Sequence, residues 1–158
     1  MAGFTISAAQ ADAPEAAALI SRHLSQMDAQ SPEESCHAMG VEGLLGRDIK
    51  FFLIRSDDGL LGMGALKDMG GGQAELKSMH VVAEARGTGA GRAMLEHLLA
   101  TARADGMRAI SLETGSTDDF LPARRLYEAY GFAECGPFGD YGPDPWSVFM
   151  RLDLAPTA

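Results

Sequence analysis

The sequence predicts a three-layer α+β domain, a mixed and mostly antiparallel sheet of about seven strands with helices on both faces. Three observations carry this. Apolar β-type runs at 49–54, 60–66 and 73–82 follow one another with short turns between them, the pattern of an antiparallel meander. The third run leads through a glycine-rich turn into a helical stripe, Met94, Leu95, Leu98, Leu99 and Ala102, and then into another apolar run at 108–113. Strand, crossover helix and parallel strand make a right-handed unit. Last, a helical segment at 121–130 precedes two β-type runs, 132–136 and 146–152, which read as an antiparallel pair.

Taken in order, residues 4–7 alternate and give a short edge strand. Asp12-Ala13-Pro14-Glu15 reads as a capping box opening a helix, with Leu19, Ile20, Leu24 and Met27 on its buried face. Ser31-Pro32-Glu33-Glu34 repeats the start signal for a second short helix that Gly40 should end. Residues 41–47 read equally as a glycine-broken loop or one helical turn. Ser56-Asp57-Asp58-Gly59 supplies a hairpin turn, and residues 68–72 the next. Between them Gly62-Met63-Gly64 is small for a strand and marks a bulge or a close backbone approach. Gly131, with Phe132 after it, closes the helix at 121–130 as a left-handed cap.

Composition narrows the function. The chain has 158 residues, 46% of them apolar, which suits one well-buried domain spanning 1–158. No apolar run approaches the ~20 residues of a membrane span, and the first residues do not read as a signal peptide. Cys36 and Cys135 make no disulfide framework, so both read as free thiols in a reducing, cytoplasmic setting. A net charge of −9 argues against nucleic acid as the partner. Cys36, His37 and His80 lack a second close pair with ligand spacing, so no metal is expected.

The stretch 75–92 organises the rest. It reads as strand, glycine turn and helix, and N–H groups at a helix start have no internal partner and lie at the positive end of the helix dipole. Such a turn suits a phosphate or pyrophosphate. A Walker A loop needs Lys-Ser/Thr after its last glycine, which is absent. A dinucleotide fingerprint needs glycine where Arg92 stands. What remains is Arg86-x-x-Gly89-x-Gly91, five residues after Met79-His80-Val81. This resembles the GNAT superfamily of N-acetyltransferases. Ala123-x-x-Leu126-Tyr127-x-x-x-Gly131-Phe132 is similar to the family's second signature. Leu112-Glu113-Thr114-Gly115 and Pro137-Phe138-Gly139-Asp140-Tyr141 are similar to segments of one bacterial branch.

The resemblance implies the acyl-CoA N-acyltransferase fold, splayed at its parallel strand pair, with acetyl-CoA in the wedge. It implies that Arg86, Gly87, Thr88, Gly89, Ala90, Gly91 and Arg92 hold the pyrophosphate. Backbone groups around Met79 and Val81 would pair with the pantetheine amides. His80, between them in the same segment, alternates away and reads as packing or surface. Ala123 belongs to the second signature, and Phe120 stands where many members carry asparagine against the pantetheine arm. The helices at 12–39 would form one wall of the acceptor site.

The chemistry implied is attack of an amine on the thioester in a ternary complex. An alkyl ammonium with pKa near ~10.4 must lose a proton, and the departing thiolate, near ~8.5, benefits from a donor. Tyr127 matches the family's donor position. Glu75, four residues before Met79, and Glu113, at the end of the adjacent strand, are rival bases. The expected partner is a small-molecule or peptide amine, and a homodimer is compatible with the resemblance. Acidic and aromatic residues (Asp118, Asp119, Asp140, Tyr141, Asp144 and Trp146) would make a cation-accepting mouth. Two other classes remain open, an acetyl-CoA sensor without turnover and a plain nucleotide-binding module.

Overall fold

The computed structural model describes residues 3–30, 40–57, 59–139 and 141–154. Its main elements are β1 (Thr5–Ala8), α1 (Pro14–Gln30), β2 (Ile49–Ser56), β3 (Gly59–Gly70), β4 (Gln73–Val81), α2 (Ala90–Ala104), β5 (Ala109–Gly115), α3 (Leu121–Ala129), β6 (Ala133–Cys135) and β7 (Ser147–Asp153). All seven strands join one sheet in the order β1-β2-β3-β4-β5-β7-β6. The β4–β5 pair is parallel and the other neighbours are antiparallel. No helix among the described residues is long and apolar enough to cross a membrane.

Two successive crossovers, β4-α2-β5 and β5-α3-β6, advance across the sheet in one direction. Right-handedness therefore puts α2 and α3 on one face. They touch there: a Cβ on Gly91 would lie 3.7 Å from Leu126, and the Tyr130 hydroxyl donates to Glu96 at 2.5 Å. Gly64 on β3 lets α2 sit close, since a Cβ at that position would lie 2.8 Å from Met94. The buried stripe of α2 is the predicted one, Met94, Leu95, Leu98, Leu99 and Ala102. α1 packs on the opposite face, where the His23 and His80 rings lie 4.9 Å apart.

Several boundaries differ from the sequence reading for local reasons. β3 continues to Gly70, and the turn shrinks to Gly71-Gly72. Both have positive φ, 65° and 80°, which suits a two-residue hairpin that continues the strand twist. The capping box at Asp12 is not formed as expected. The Ala13 carbonyl accepts the first helical bond, from Ala17 N–H at 2.8 Å, so the cap position falls one residue later, with Pro14 first in the helix. Glu15 turns to an ion pair with Arg55 on β2. The ambiguous segment holds one 3-10 turn, Glu42–Leu45. The expected helix at 31–39 and residues Cys36, His37 and Asp140 lie outside the described residues, as does the side chain of Met27.

The sheet parts between its parallel strands. β4 and β5 are in register for four pairs, Gln73↔Ala109 to Leu76↔Leu112, yet β4 runs on to Val81 and β5 to Gly115. The cause lies on the other edge of β4. There Met63↔His80 is followed by Ala65↔Lys77, so two steps on β3 match three on β4. The extra residue makes a bulge, with Ser78 at φ 54°. A bulge bends its strand and adds twist, and here it swings residues 78–81 away from β5. The small residues of β3 permit this, because a Cβ on Gly62 would come within 2.5 Å of the His80 carbonyl oxygen. Beyond β5, the Arg124 guanidinium donates to the carbonyls of Gly115 and Thr117 at 2.6 and 2.9 Å, which fixes the other lip.

Candidate active site

A cavity of about 430 Å³ occupies the gap. Its lining draws on both faces of the sheet: His23 and Gln26 from α1, and Ala123, Leu126 and Tyr127 from α3. Residues from opposite faces can line one cavity here because the strands between them have separated.

One end is the glycine turn. Gly87 and Gly89 have φ of 81° and 93°, a region that L side chains rarely adopt. A Cβ on Gly87 would meet nothing within 4 Å, so the turn is open on its outer side. Gly89 is the N-cap of α2 and has no side chain with which to cap it. The Thr88 hydroxyl donates to the Ala85 carbonyl at 2.5 Å and accepts a long 3.4 Å contact from Ala90 N–H, steadying the turn from behind. Helix-start amides beside open space are a fitting cradle for an anionic phosphate. We expect Gly89→Ala to weaken acetyl-CoA binding about tenfold, because alanine at that φ costs roughly 1–2 kcal/mol and the turn must rearrange. Titration calorimetry checks this.

Most residues that the sequence assigned to the cofactor line the cavity. Met79, His80 and Val81 do so from β4, Arg86, Gly87, Gly89, Ala90 and Gly91 from the turn, and Phe120 and Ala123 from α3 and its approach. Thr88 and Arg92 are not on that wall. The Arg92 guanidinium lies 6.0 Å from the Tyr130 ring centroid. Phe120 covers the end of β5 so closely that a Cβ on Gly115 would lie 2.0 Å from its ring. The glycine in Leu112-Glu113-Thr114-Gly115 is therefore the seat of that ring.

His80 packs, as one of its two readings had it, and does not face solvent. It is 7% exposed, lines the cavity, and leaves Nε2 without a partner among the described residues. His23, which the sequence did not single out, lies against it. Burial depresses both imidazoles to about 4; His80 is lowered further by His23, Arg86 and Arg22. The unfolded chain takes up these protons near 6.5, so it binds more protons than the folded chain as pH falls from 6.5 towards 4. Thermal stability should therefore drop across that window, and replacing both histidines with Phe should flatten the drop. Glu113, shifted upward, acts in the opposite sense there, so the observed loss is the histidine contribution less one carboxyl's.

Of the candidate acid and bases, Tyr127 is on the cavity wall, whereas Glu75 and Glu113 are not among the residues that line it. The Tyr127 phenol is 6% exposed, and burial, then Glu113, raises its pKa. The α3 cap fixes this residue. Phe132 N–H donates to the Tyr127 carbonyl at 3.1 Å and Gly131 N–H to that of Glu128 at 3.0 Å, with Gly131 at φ 98°. The Tyr127 and Phe132 rings meet edge-on at 5.7 Å, completing the Schellman arrangement. Glu113 is pushed up to about 7 by burial, with Asp144 and Glu75 adding to the rise and Ser147 and Lys77 opposing it. Glu75 is 4% exposed. Its Oε2 accepts from Lys77 Nζ at 2.9 Å and from the Tyr141 hydroxyl at 2.6 Å. Asp144 Oδ1 accepts from Trp146 N–H at 2.8 Å, shaping the turn before β7.

A turn that offers bare amides to a diphosphate, beside a strand edge left unpaired, suits a long and flexible thioester carrier. The fold and the gap thus define a coenzyme A-dependent acyltransferase. The model of the acetyltransferase (GNAT) family matches residues 18–132, and the chain belongs to that family, whose acetyl donor is acetyl-CoA. YsnE of Bacillus subtilis, an uncharacterized N-acetyltransferase, is 45% identical over 136 residues, 86% of this chain and 90% of that protein. An IAA acetyltransferase of Azospirillum brasilense is 44% identical over 124 residues, 78% of this chain and 80% of that one. Among solved structures, one from Klebsiella pneumoniae provisionally called an acyl-CoA N-acyltransferase has a TM-score of 0.78 at 28% identity, covering 96% of this chain and 98% of that chain.

Proposed function

We propose that this single-domain enzyme acetylates a primary amine of a small molecule or peptide by direct attack within a ternary complex. The observation that carries the reading is a buried phenol, Tyr127, on the cavity wall, with the carboxyl of Glu113 on the neighbouring strand close enough to act on it. Acetyl-CoA supplies the activated acetyl thioester. The turn at 86–91 holds its diphosphate, and the free edge of β4 around Met79 and Val81 orients its arm as an added strand would.

The protein's own groups then manage protons. Glu113 takes the proton from the acceptor ammonium; a carboxyl titrating near 7 is matched to that task at neutral pH. Tyr127 Oη holds its proton in the resting site, because burial opposes the phenolate, and gives it to the departing sulfur as the C–S bond breaks, while the second proton shed by the newly bonded nitrogen restores the phenol. Glu75, the rival base, has Oε2 committed to Lys77 and Tyr141, and we assign it to holding those two side chains in place. The test is a panel of primary amines, with IAA included because the Azospirillum relative is named for it. Thiol release is the readout. Turnover confined to acceptors without an amine overturns the reading.

A further inference from the structure

Lys77 and Glu113 are the residues that follow the last β4–β5 pair, Leu76↔Leu112, and Lys77 is a nearly buried cation, its side chain 10% exposed against 5% for Glu75. Two contacts fix it. One N–H donates to Glu75 Oε2 at 2.9 Å and another to the Tyr141 hydroxyl at 3.0 Å. That hydroxyl in turn donates a hydrogen bond to the same Glu75 oxygen at 2.6 Å, so the three groups form a closed ring of hydrogen bonds. Tyr141 arrives from the loop between β6 and β7. Its ring packs on Phe138 and Phe149 at 5.0 and 5.5 Å, and Phe149 pairs with Glu113 across β5 and β7. The loop therefore pins Lys77 beside the strand that carries Glu113.

We propose that Lys77 is the positioning residue that governs the proton on Glu113, and that Glu75 and Tyr141 serve to hold it there. The catalytic consequence rests on the reading of Glu113 as the base. Glu113 is faced by Lys77 and Glu75 from β4, Tyr127 from α3, Tyr141 and Asp144 from the β6–β7 loop, and Ser147 from β7. Among the charged groups in this set, Lys77 alone favours the carboxylate; Glu75 and Asp144 oppose it. An ammonium swung fully onto Glu113 would hold it ionised and make it a weak base. With no ammonium near, the carboxyl would stay protonated at neutral pH. Glu75 and Tyr141 keep the cation between these limits.

The test is the titration of the Glu113 side-chain carboxyl by carbon-13 NMR, assigned with Glu113→Gln. Lys77→Met should raise the midpoint by about one pH unit or more, the effect of losing a nearby opposite charge. Lys77→Arg should bring it back. Glu75→Gln should lower it, because a repelling charge is lost and Lys77 is freed. A loosened structure would admit water and lower the midpoint in every variant, so a rise in Lys77→Met has no such origin. Where the single variant does not fold, Glu75→Gln/Lys77→Met leaves no unpaired buried charge. Its midpoint should lie above that of Glu75→Gln. A midpoint in Lys77→Met equal to wild type or below it, or in the double variant no higher than in Glu75→Gln, overturns the proposal. The titration needs no acceptor, so an amine panel without turnover would sink the functional reading and leave this result to stand or fall separately.

Discussion

Tyr127→Phe is expected to lower kcat by roughly 10²- to 10⁴-fold, the range for a lost general acid, with acetyl-CoA affinity nearly unchanged. The variant should fold. The Tyr127 backbone carbonyl receives the cap bond from Phe132 whichever ring is present, and phenylalanine keeps the edge-on contact at 5.7 Å. Only the hydroxyl, Oη with its proton, is lost. An enzyme should lose rate and keep affinity, whereas an acetyl-CoA sensor has no rate to lose. Steady-state kinetics with calorimetry separates these, and equal losses in both would show that the residue only shapes the cleft.

Glu113→Gln is expected to cost about 10²-fold or more in kcat/KM at neutral pH. It should also remove the break near pH 7, leaving the dependence set by the acceptor's own amine. The same substitution has a stability signature of opposite sense. Because the folded-state pKa is raised from 4.5 to about 7, the carboxyl favours the folded state below 4.5 and this advantage is lost as pH rises through 7. Glutamine carries no such loss. Its melting temperature should exceed wild type at pH 8 and approach it at pH 5. A break near pH 7 that survives in Glu113→Gln would hand the base to another group, with Glu75 the first to test.

The elements that position this chemistry were legible to unequal degrees. The glycine turn and α2 were plain, because positive φ at Gly87 and Gly89 and a buried stripe on α2 are both written in residue type and spacing. The cap at Gly131 was legible for the same reason. The bulge on β4 was not. Lys77-Ser78-Met79 carries no glycine, asparagine or aspartate to mark a positive φ, and the glycines that announced an irregularity sit across from it on β3. The early start read at Asp12 failed by one residue, since Ala13 and Asp12 compete for the cap and Pro14 fixes where helical φ begins.

What the sequence determined by itself was the chain of local decisions: which faces are apolar, where helices stop, and where a turn leaves its amides bare. Those depend on residues within a few positions of one another. Tertiary structure alone decided that His23 would reach the cleft from α1, that Tyr141 would close on Glu75 from 66 residues away, and that burial would move Glu113 towards neutrality. Each of these depends on what another strand or helix places opposite, and desolvation has no value until that partner has arrived.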